Sequence, residues 1–281
     1  MVTIGIIGLG FVGGAMEKSF NNKIIENDLS GEYQIYCYDK YKSGGIGTFE
    51  NILMCDMLFL ALPTLYNNEL KSYDYSAIYE TCDKLTKNNF KGLVVIKSTL
   101  EPTITEKLSE LYNCLDFVHN PEFLTARTAY EDFHNQHHIV LGKSKKCLDR
   151  KFDMLAETYS KLYPLARLSK CSSIESESMK IFCNTFYAVK IQYFNELYLL
   201  SQKIDADYNK IVEMMICNGW INPMHTNVPG PDGQLSYGGL CFPKDTNALL
   251  EFMKKMDTPC SVLNATIEER NSFRNDNANC K

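Results

Sequence analysis

The sequence predicts an α/β fold, in which a parallel sheet is joined by one long helix to a smaller all-helical domain. Short apolar runs alternate with helical patterns through the first half of the chain, which is typical of a parallel sheet with helices on both faces. Between Pro164 and Gly219 there is no glycine and no proline, and apolar residues recur there at helical spacing. We therefore predict two domains, over residues 1–170 and 171–281.

Length and composition agree with this organisation. The 281 residues suffice for about two domains, and 45% hydrophobic and 22% charged residues are ordinary for a globular protein. The net charge of −5, with no basic run, argues against nucleic acid as a partner. No apolar run approaches the ~18 residues of a membrane span, and the N-terminus shows no signal peptide. We expect a cytoplasmic protein that binds neither nucleic acid nor a membrane.

Metal binding is not indicated by the cysteine and histidine pattern. The eleven cysteines are scattered and no two form a Cys-x-x-Cys pair, which speaks against zinc and thioredoxin chemistry. His137 and His138 are adjacent, so a strand would direct them to opposite faces. We predict no metal site and reduced thiols.

The N-terminus carries a glycine motif between a strand and a helix. The apolar run Val2 to Ile7 reads as a buried strand and leads directly into the motif Gly8-Leu9-Gly10-Phe11-Val12-Gly13, before a helix predicted from Gly14 to Phe20. In this context Gly-x-Gly-x-x-Gly is typical of a dinucleotide site in a Rossmann-type domain. The first glycine permits a tight turn, the second lets a pyrophosphate approach, and the third lets helix and strand pack closely. A glycine-rich turn without a ligand is the structural alternative.

Asp39 favours NAD as the dinucleotide. It ends a predicted strand, Gln34 to Tyr38, near the ~20-residue distance from the glycines at which an acidic residue is expected. A carboxylate there accepts hydrogen bonds from ribose hydroxyls and would repel a 2′-phosphate, so NAD is preferred over NADP; Lys40 beside it weakens that preference. The residues that we predict to bind NAD are Gly8, Gly10, Phe11, Val12, Gly13, Asp39, Lys40, Thr64 and Thr99.

More strands and helices follow in alternation. Strands are predicted over Met57 to Leu62, Leu93 to Ile96, Phe117 to His119 and His138 to Gly142, and helices over Tyr75 to Leu85, Pro102 to Tyr112 and Lys145 to Tyr163. Thr64, Thr99 and Asn120-Pro121-Glu122 come at the carboxyl ends of these strands, where ligands of such sheets bind. Taken alone, each of them is better explained by turn and capping chemistry.

A helix of about 30 residues is predicted from Ile174 to Lys203. Ser172 and Ser173 are suited to cap it, and Glu175 and Glu177 suit its first turn. Its apolar positions are Phe182, Phe186, Val189, Tyr193, Leu197, Leu200 and Ile204. Such a helix joins two domains or pairs with a copy of itself, so we predict a homodimer.

The last third of the chain contains an irregular segment between helices. Asn222 to Gly239 is rich in proline and glycine and leads to Tyr237-Gly-Gly-Leu-Cys-Phe-Pro-Lys-Asp245. The predicted helices here are Tyr208 to Cys217, Thr246 to Met256 and Leu263 to Arg274. The polar residues from Asn275 to Lys281 are expected to fray.

Four segments together resemble the nucleotide-sugar dehydrogenases, the family of UDP-glucose 6-dehydrogenase and GDP-mannose dehydrogenase type. Gly238-Gly-Leu-Cys241-Phe-Pro-Lys244-Asp245 strongly resembles the catalytic signature of the family. In the same order come Lys97-Ser98-Thr99, then Asn120-Pro-Glu-Phe-Leu124 with Thr128-Ala129 and Glu131-Asp132-Phe133, and then Lys180-x-x-x-Asn184 with Asn195-Glu196. The resemblance extends from Val2 to about Arg274.

The resemblance implies an NAD-dependent, four-electron oxidation of a nucleotide sugar at C6, most often of UDP-glucose to UDP-glucuronate. It implies that Cys241 is the nucleophile and that Lys180 and Asn184 stabilise an oxyanion, while Asp245 acts with Lys180 on a proton or a water. Glu122 and Thr99 assist hydrolysis. The implied substrate-binding residues are Glu122, Phe123, Leu124, Lys180, Asn184, Tyr237 and Gly238. The resemblance also implies a dimer through the long helix.

These residue types suit such a reaction. A thiolate captures the aldehyde formed first and turns it into a second hydride donor. A lysine and an asparagine four apart on a helix can direct two donors at the same developing charge, although such a pair is more often merely solvated.

Two departures from the family pattern leave alternatives open. Ala126-Arg127 stands where the family usually has Glu-Gly, so GDP-mannose or UDP-N-acetylmannosamine are alternative substrates. The sequence ends at Lys281, before the family's third domain, so we expect either a short form without the C-terminal nucleotide-binding domain or a fragment. A two-electron β-hydroxyacid dehydrogenase would share the fold plan but needs no cysteine. A non-catalytic or impaired NAD-binding dimer is the remaining alternative.

Overall fold

The computed structural model describes residues 1–274 and Asp276. The chain divides into two compact units. Unit 1 comprises Met1–Thr64 and Asp74–Lys180, and unit 2 comprises Leu65–Tyr73 and the chain from Ile181 onwards. The predicted domain boundary after residue 170 stays a prediction. The predicted fraying of Asn275 to Lys281 falls, apart from Asp276, outside the described residues.

Unit 1 is built, in its described residues, on a seven-stranded sheet with the order β2-β1-β3-β6-β7-β8-β9. Its strands are β1 (Val2–Ile7), β2 (Tyr33–Tyr38), β3 (Met57–Leu60), β6 (Leu93–Ile96), β7 (Asp116–His119), β8 (His138–Lys143) and β9 (Arg167–Ser172). The first five in spatial order run parallel, β7 and β8 pair antiparallel, and β8 and β9 are again parallel. Every residue of β3, β6 and β7 is buried, which fits the near-continuous apolar runs of a sheet covered on both faces.

The helices of unit 1 alternate with these strands. They are α1 (Phe11–Glu26), α2 (Phe49–Leu53), α3 (Ser76–Lys87), α4 (Ile104–Leu111), α5 (Ala129–His134), α6 (Asp149–Leu162) and the start of α7 (Ser173–Lys203). The α/β fold with a mostly parallel sheet and a long central helix is therefore confirmed.

Aromatic rings fill the core of unit 1 where α1, β3, α5 and α6 meet. The Phe20 ring lies 5.6 Å from Phe59, 5.8 Å from Phe133 and 5.9 Å from Tyr159, centroid to centroid, each in an edge-to-face arrangement. Such pairs contribute about 0.5–1.5 kcal/mol each beyond the area they bury. This cluster packs α1 onto the sheet and so fixes where the preceding glycine-rich turn lies.

Unit 2 is helical apart from one small hairpin. It contains the rest of α7 and the helices α8 (Tyr208–Cys217), α9 (Phe242–Lys255) and α10 (Ser261–Phe273). The hairpin pairs β4 (Tyr66–Asn67) with β5 (Ser72–Tyr73) in antiparallel register. The sequence did not predict the hairpin, because strands of two residues carry no periodic signal.

Several element boundaries differ from the predictions for local reasons. Helix α9 begins at Phe242 rather than Thr246, because Pro243 fits the first helical turn, where its missing N–H costs nothing. Helix α4 begins at Ile104 rather than Pro102, because Thr103 has a left-handed φ of 83°. Strand β3 ends at Leu60 rather than Leu62, because the Leu62 N–H donates to Ser98 Oγ (3.0 Å) instead of a strand partner.

The other shifts affect mainly element ends. Helix α1 extends beyond its predicted range at both ends, and α6 starts four residues later than predicted. The short helices α2 and α5 and the strand β9 were missed, because five or six residues give little periodicity.

The N-terminus of α7 has the predicted cap but only one of its predicted acidic partners. The Ser172 N–H donates to Glu175 Oε2 (2.8 Å) and the Glu175 N–H donates to Ser172 Oγ (3.3 Å), a reciprocal capping pair. The expectation for Glu177 is wrong. Its carboxylate is buried and accepts from the backbone N–H groups of Thr103 (2.7 Å) and Thr105 (2.6 Å), so it caps α4 instead. Burial raises the pKa of Glu177 to about 7.

Candidate active site

The three glycines of the predicted dinucleotide turn occur at their positions for different local reasons. Gly8 has a φ of 88°, and a Cβ there would lie 2.4 Å from the Ala61 carbonyl oxygen. A Cβ on Gly13 would lie 1.8 Å from the Gly8 carbonyl oxygen, so the turn and α1 could not pack. Around a Cβ on Gly10 no described atom lies within 4 Å. Gly8 and Gly13 thus serve the protein's own packing, and Gly10 leaves the open space that a pyrophosphate requires.

Asp39 lies beside this turn, and its carboxyl group is ionised. Its Oδ2 accepts from the Leu9 N–H (2.7 Å), and its Oδ1 accepts from the N–H groups of Tyr41 and Lys42 (2.9 Å each). Burial opposes ionisation, but these hydrogen bonds outweigh it and hold the pKa of Asp39 below its ordinary value. The Lys42 ammonium donates to the Leu9 carbonyl (2.6 Å), a contact that the sequence did not predict. Lys40 is exposed and pairs with a glutamate of α3.

The turns after β3 and β6 are joined to each other. Thr64 is buried and its hydroxyl donates to the Thr99 carbonyl (2.9 Å). The Ser98 hydroxyl donates to the Leu62 carbonyl (2.6 Å). Strands β1, β2, β3 and β6 are neighbours in the sheet. Their carboxyl ends therefore carry the glycine-rich turn, Asp39, Thr64 and Thr99 at one edge of the sheet. Phe11 and Val12 start α1 at the same place, with the Phe11 side chain 65% exposed.

Unit 1 also holds a buried ion pair. Lys180 is 4% exposed, and its ammonium donates to the Glu122 carbonyl and to Glu122 Oε1, the latter at 3.1 Å. The other carboxylate oxygen of Glu122 accepts from the Leu124 N–H (2.7 Å). The Phe123 ring lies over the ammonium, with its centroid 5.1 Å from Nζ. Four of the predicted substrate-binding residues thus form one cluster.

A second lysine lies behind this cluster. Lys97 is 2% exposed and donates to Asn120 Oδ1 and to the Pro121 carbonyl, both at 3.1 Å. Burial lowers the pKa of Lys97 to about 7, Glu122 raises it and Lys180 lowers it further. The sequence singled out Lys97 only as part of a motif, because a single sequence does not reveal that a lysine is buried.

Unit 2 holds a buried carboxylate one helical turn after the predicted nucleophile. Asp245 is 0% exposed and accepts from Asn184 Nδ2 (2.6 Å), Lys244 Nζ (2.5 Å) and the Tyr73 hydroxyl. Burial opposes its charge, but the Lys244 ammonium and the hydrogen bonds outweigh burial and lower the pKa of Asp245. Tyr73 belongs to the unpredicted hairpin, so sequence reasoning missed it.

Cys241 is exposed and immediately precedes α9. Its carbonyl accepts from the Asp245 N–H (3.0 Å), which is the first hydrogen bond of the helix. Of the remaining predicted substrate-binding residues, Tyr237 has a buried side chain, so a substrate contact would fall to its backbone, and Gly238 is half-buried.

A parallel sheet with this turn and an ionised carboxylate at the end of β2 defines an NAD-binding α/β protein. Residues 18–163 match the NAD binding domain of the UDP-glucose/GDP-mannose dehydrogenase family, and residues 174–272 match the central domain of that family. The chain belongs to this family, whose members are NAD-dependent oxidoreductases. The predictions of the family and of NAD as cofactor are thereby confirmed.

Relatives agree with this assignment. The chain is 26% identical to UDP-glucose 6-dehydrogenase of Campylobacter jejuni, over 94% of this chain and 71% of that protein. It spans about half, 48–54%, of the length of seven further UDP-glucose 6-dehydrogenases that it matches.

Two solved structures show the fold. A UDP-glucose dehydrogenase from Pyrobaculum islandicum has a TM-score of 0.79 at 23% identity, over 97% of this chain and 68% of that one. A 3-hydroxyisobutyrate dehydrogenase from Mycobacterium tuberculosis has a TM-score of 0.71 at 17% identity, over 99% and 95%. In the described part of the chain, no helix has the length and apolar character needed to span a membrane.

The two glycines with opposite surroundings give a matched test of the turn. Gly13→Ala should lower the free energy of unfolding by at least ~3 kcal/mol, because its methyl group would overlap the backbone of Gly8. Gly10→Ala should lower it by only ~1 kcal/mol or less, the cost of alanine at the N-cap of α1, but weaken NAD binding roughly tenfold or more, because it fills the open space. Urea denaturation and calorimetric titration with NAD measure the two effects. Unchanged NAD affinity of Gly10→Ala would contradict its predicted role.

The buried amine of Lys97 predicts a specific pH dependence of stability. Folding lowers the pKa of Lys97 from 10.5 to about 7. Between these values the unfolded chain binds more protons than the folded one, so this group makes the free energy of unfolding rise with pH, by up to ~1.4 kcal/mol per unit. Lys97→Met should therefore show a shallower rise than wild type in urea denaturation at a series of pH values. Lys87→Met, which removes an exposed lysine, is the control and should keep the wild-type slope. Equal slopes for Lys97→Met and wild type would refute the depressed pKa.

Proposed function

We propose that this chain catalyses the NAD-dependent, four-electron oxidation of a nucleotide sugar at C6, with UDP-glucose as substrate and UDP-glucuronate as product. The observation that carries the proposal is the exposed thiol of Cys241 at the start of α9, one turn before a buried carboxylate that is bound to Asn184. Membership of the dehydrogenase family and the names of the curated relatives support the choice of UDP-glucose.

The first oxidation needs a hydride acceptor and a group that takes the hydroxyl proton. NAD, when bound at the turn of unit 1, supplies the acceptor for both oxidations. The C6 alcohol loses a hydride and a proton and becomes an aldehyde. We assign the proton to the polar groups on α7 and their partners, the Lys180–Glu122 pair and the Asn184–Asp245 pair.

Cys241 keeps the aldehyde on the protein and prepares the second oxidation. Its thiolate adds to C6, which forms a C–S bond and an oxyanion. Lys180 and Asn184 follow each other by one turn of α7, and we propose that they donate to this oxyanion. Loss of the second hydride from the thiohemiacetal gives a thioester.

Hydrolysis releases the acid. Water adds to the thioester carbon, the C–S bond breaks, and Cys241 leaves as thiolate. We propose that this water is ordered near Glu122, Thr99 or Asp245, and that a carboxylate, of Glu122 or of Asp245, takes its proton. The reaction consumes one sugar, two NAD and one water, and yields the carboxylate, two NADH and three protons.

We further propose that the chain acts as a cytoplasmic homodimer through α7. The predicted stripe on α7 is largely exposed: Phe182 is 52%, Phe186 63%, Tyr193 54%, Leu200 55% and Ile204 63% exposed. Four of these large apolar side chains lie on α7 and Ile204 directly follows it, which exceeds the scattered exposure that needs no explanation. Burial against a second copy would remove them from water.

The stoichiometry of NADH tests the reaction. Wild-type protein should release two NADH per molecule of UDP-glucose, whereas Cys241→Ser should release at most one, because a hydroxyl is scarcely ionised near neutral pH and captures the aldehyde poorly. Enzymatic end-point assays of NADH and of the uronate measure both products. Cys217→Ser, which removes another exposed thiol, is the control and should behave as wild type.

Each other outcome of that assay has a distinct meaning. Two NADH per sugar from Cys241→Ser would refute the nucleophile. A yield of two NADH per sugar only with GDP-mannose or UDP-N-acetylmannosamine would correct the substrate. The cation at Arg127 is the reason for testing these two sugars. No NADH with any of these sugars, from folded protein that binds NAD, would favour the non-catalytic alternative.

Light scattering tests the dimer. The purified chain should have twice the 32.1 kDa of one chain, and Phe186→Asp combined with Leu200→Asp should give a monomer, because two carboxylates would be desolvated in the interface. Trp220→Asp, which changes a side chain that is 88% exposed and not on the stripe, is the control and should stay dimeric. A wild-type monomer at micromolar concentration would refute the proposal.

A further inference from the structure

Residues 232–240, here termed the cysteine loop, lead directly to Cys241 and contain no helix or strand. Three of these residues have backbone conformations that favour glycine: Gly233 has a φ of 75°, Ser236 a φ of 60° and Gly239 a φ of 77°. A non-glycine residue in this region is strained and needs surrounding contacts to hold it. The contacts that hold Ser236 come from α7 and α10.

Arg274, just after α10, holds the cysteine loop by a fork of hydrogen bonds. Its Nε donates to the Leu235 carbonyl (2.7 Å) and its Nη2 donates to the Ser236 carbonyl (3.1 Å). Nη1 and Nη2 also donate to the two carboxylate oxygens of Asp232, at 2.8 and 3.1 Å. The side chain is only 2% exposed, and its charge is balanced by the carboxylate of Asp232 from the loop that it holds and, at 3.4 Å, by that of Asp276.

Arg270, one turn earlier on α10, holds the next residue of the loop. It is 3% exposed, its Nε donates to the Tyr237 carbonyl (3.1 Å), and its guanidinium lies 5.7 Å from the centroid of the Tyr237 ring. Three successive carbonyls, those of Leu235, Ser236 and Tyr237, therefore accept from two buried arginines.

Helix α7 holds the same loop by other groups. The Ser236 N–H donates to Asn195 Oδ1 (2.8 Å), and the Ser236 hydroxyl donates to Gln192 Oε1. Both α7 side chains are buried. The peptide on each side of Ser236 is thus fixed, which accounts for the persistence of its positive φ.

Gly238 shows how closely Arg274 packs on the loop. A Cβ at this position would lie 2.2 Å from Arg274 Nη1. The φ of Gly238 is not in the left-handed region, so a side chain here would be opposed by the guanidinium, which would have to shift, and not by the backbone conformation. The loop and the arginine are therefore shaped to each other immediately before Cys241.

We propose that Arg274 and Arg270 are positioning residues for Cys241, which hold the cysteine loop so that the thiol stays at the N-terminus of α9. The inference rests on the proposed role of Cys241 as nucleophile. Neither arginine is assigned a contact with a reacting atom. They bind the carbonyls of residues 235–237. Only the short Gly238-Gly239 turn and Leu240 separate these anchored residues from Cys241, which limits the movement of Cys241. A thiolate at a helix N-terminus is stabilised by the free N–H groups of the first turn, and a loosened loop would lose that placement.

Alkylation of Cys241 in the intact chain tests this without requiring turnover. In Arg274→Met the rate of iodoacetamide labelling of Cys241, followed by peptide mass spectrometry, should fall about two- to fivefold. The exposed thiols Cys114 and Cys217 are internal references and should keep their rates. In steady-state assays kcat should fall while the KM for NAD, which is bound by other residues, stays unchanged.

Two further variants make the test decisive. Arg150→Met removes an exposed arginine and should leave the rate of Cys241 labelling at the wild-type value. Asp232→Asn keeps the shape of the Arg274 partner but removes its charge, so it should give a smaller fall in the same direction, and it decides the question if Arg274→Met does not fold.

The outcomes separate this inference from the proposed reaction. Unchanged Cys241 labelling in folded Arg274→Met and Asp232→Asn, even with a lower melting temperature, would overturn the positioning role and leave a merely structural one. A slowed labelling together with no NADH from wild-type protein would support the positioning role and refute the proposed reaction.

Discussion

Buried polar side chains on α7 each need a hydrogen-bond partner, and for Lys180, Asn184 and Asn195 the partner lies in a segment that carries or precedes a candidate catalytic group. A buried polar group without a partner costs about 1–3 kcal/mol, so these contacts are obligatory rather than incidental. Along the helix, Glu177 accepts from the first turn of α4, Lys180 donates to Glu122, Asn184 donates to Asp245 and Asn195 accepts from Ser236. Local misplacement of α7 would therefore disturb several functional segments together.

The same requirement explains why the charges of each unit come in matched sets. In unit 1 the carboxylate of Glu122 pairs with Lys180 and also favours the charged form of Lys97, although burial lowers the pKa of Lys97. In unit 2 the buried carboxylate of Asp245 keeps its charge because Lys244 lies against it. Burial strengthens electrostatic interactions. Each set therefore keeps a charged group in a buried place, where water does not weaken its electrostatic interactions.

The sequence predicted what depends on local pattern. The glycine spacing, the apolar strands and the length of α7 are properties of neighbouring residues, so the roles of Gly8 and Gly13 and the range of α7 could be predicted from the chain alone. Partners distant in sequence were not predictable in this way. Glu177 looked like a first-turn acid of its own helix, yet it caps α4, because which buried donors lie nearby depends on the tertiary fold. Tyr73 lies 172 residues from its partner Asp245, and Arg274 lies 38 residues from its partner Ser236. No periodicity in the sequence links such pairs.

The fold by itself does not choose between two-electron and four-electron chemistry. The same architecture occurs in a 3-hydroxyisobutyrate dehydrogenase and in UDP-glucose dehydrogenases, so the choice must come from side chains placed on it. A lysine and an asparagine one turn apart on a long helix suit either reaction, because both developing oxyanions need donors. Only the second oxidation and the hydrolysis need a nucleophile that holds the aldehyde. In unit 2 the nucleophile that we propose is Cys241. The loop before it is held by two buried arginines and contains a strained serine and a glycine packed against a guanidinium, which argues that the position of the thiol matters. An exposed cysteine without a function would not require the preceding loop to be held in this way.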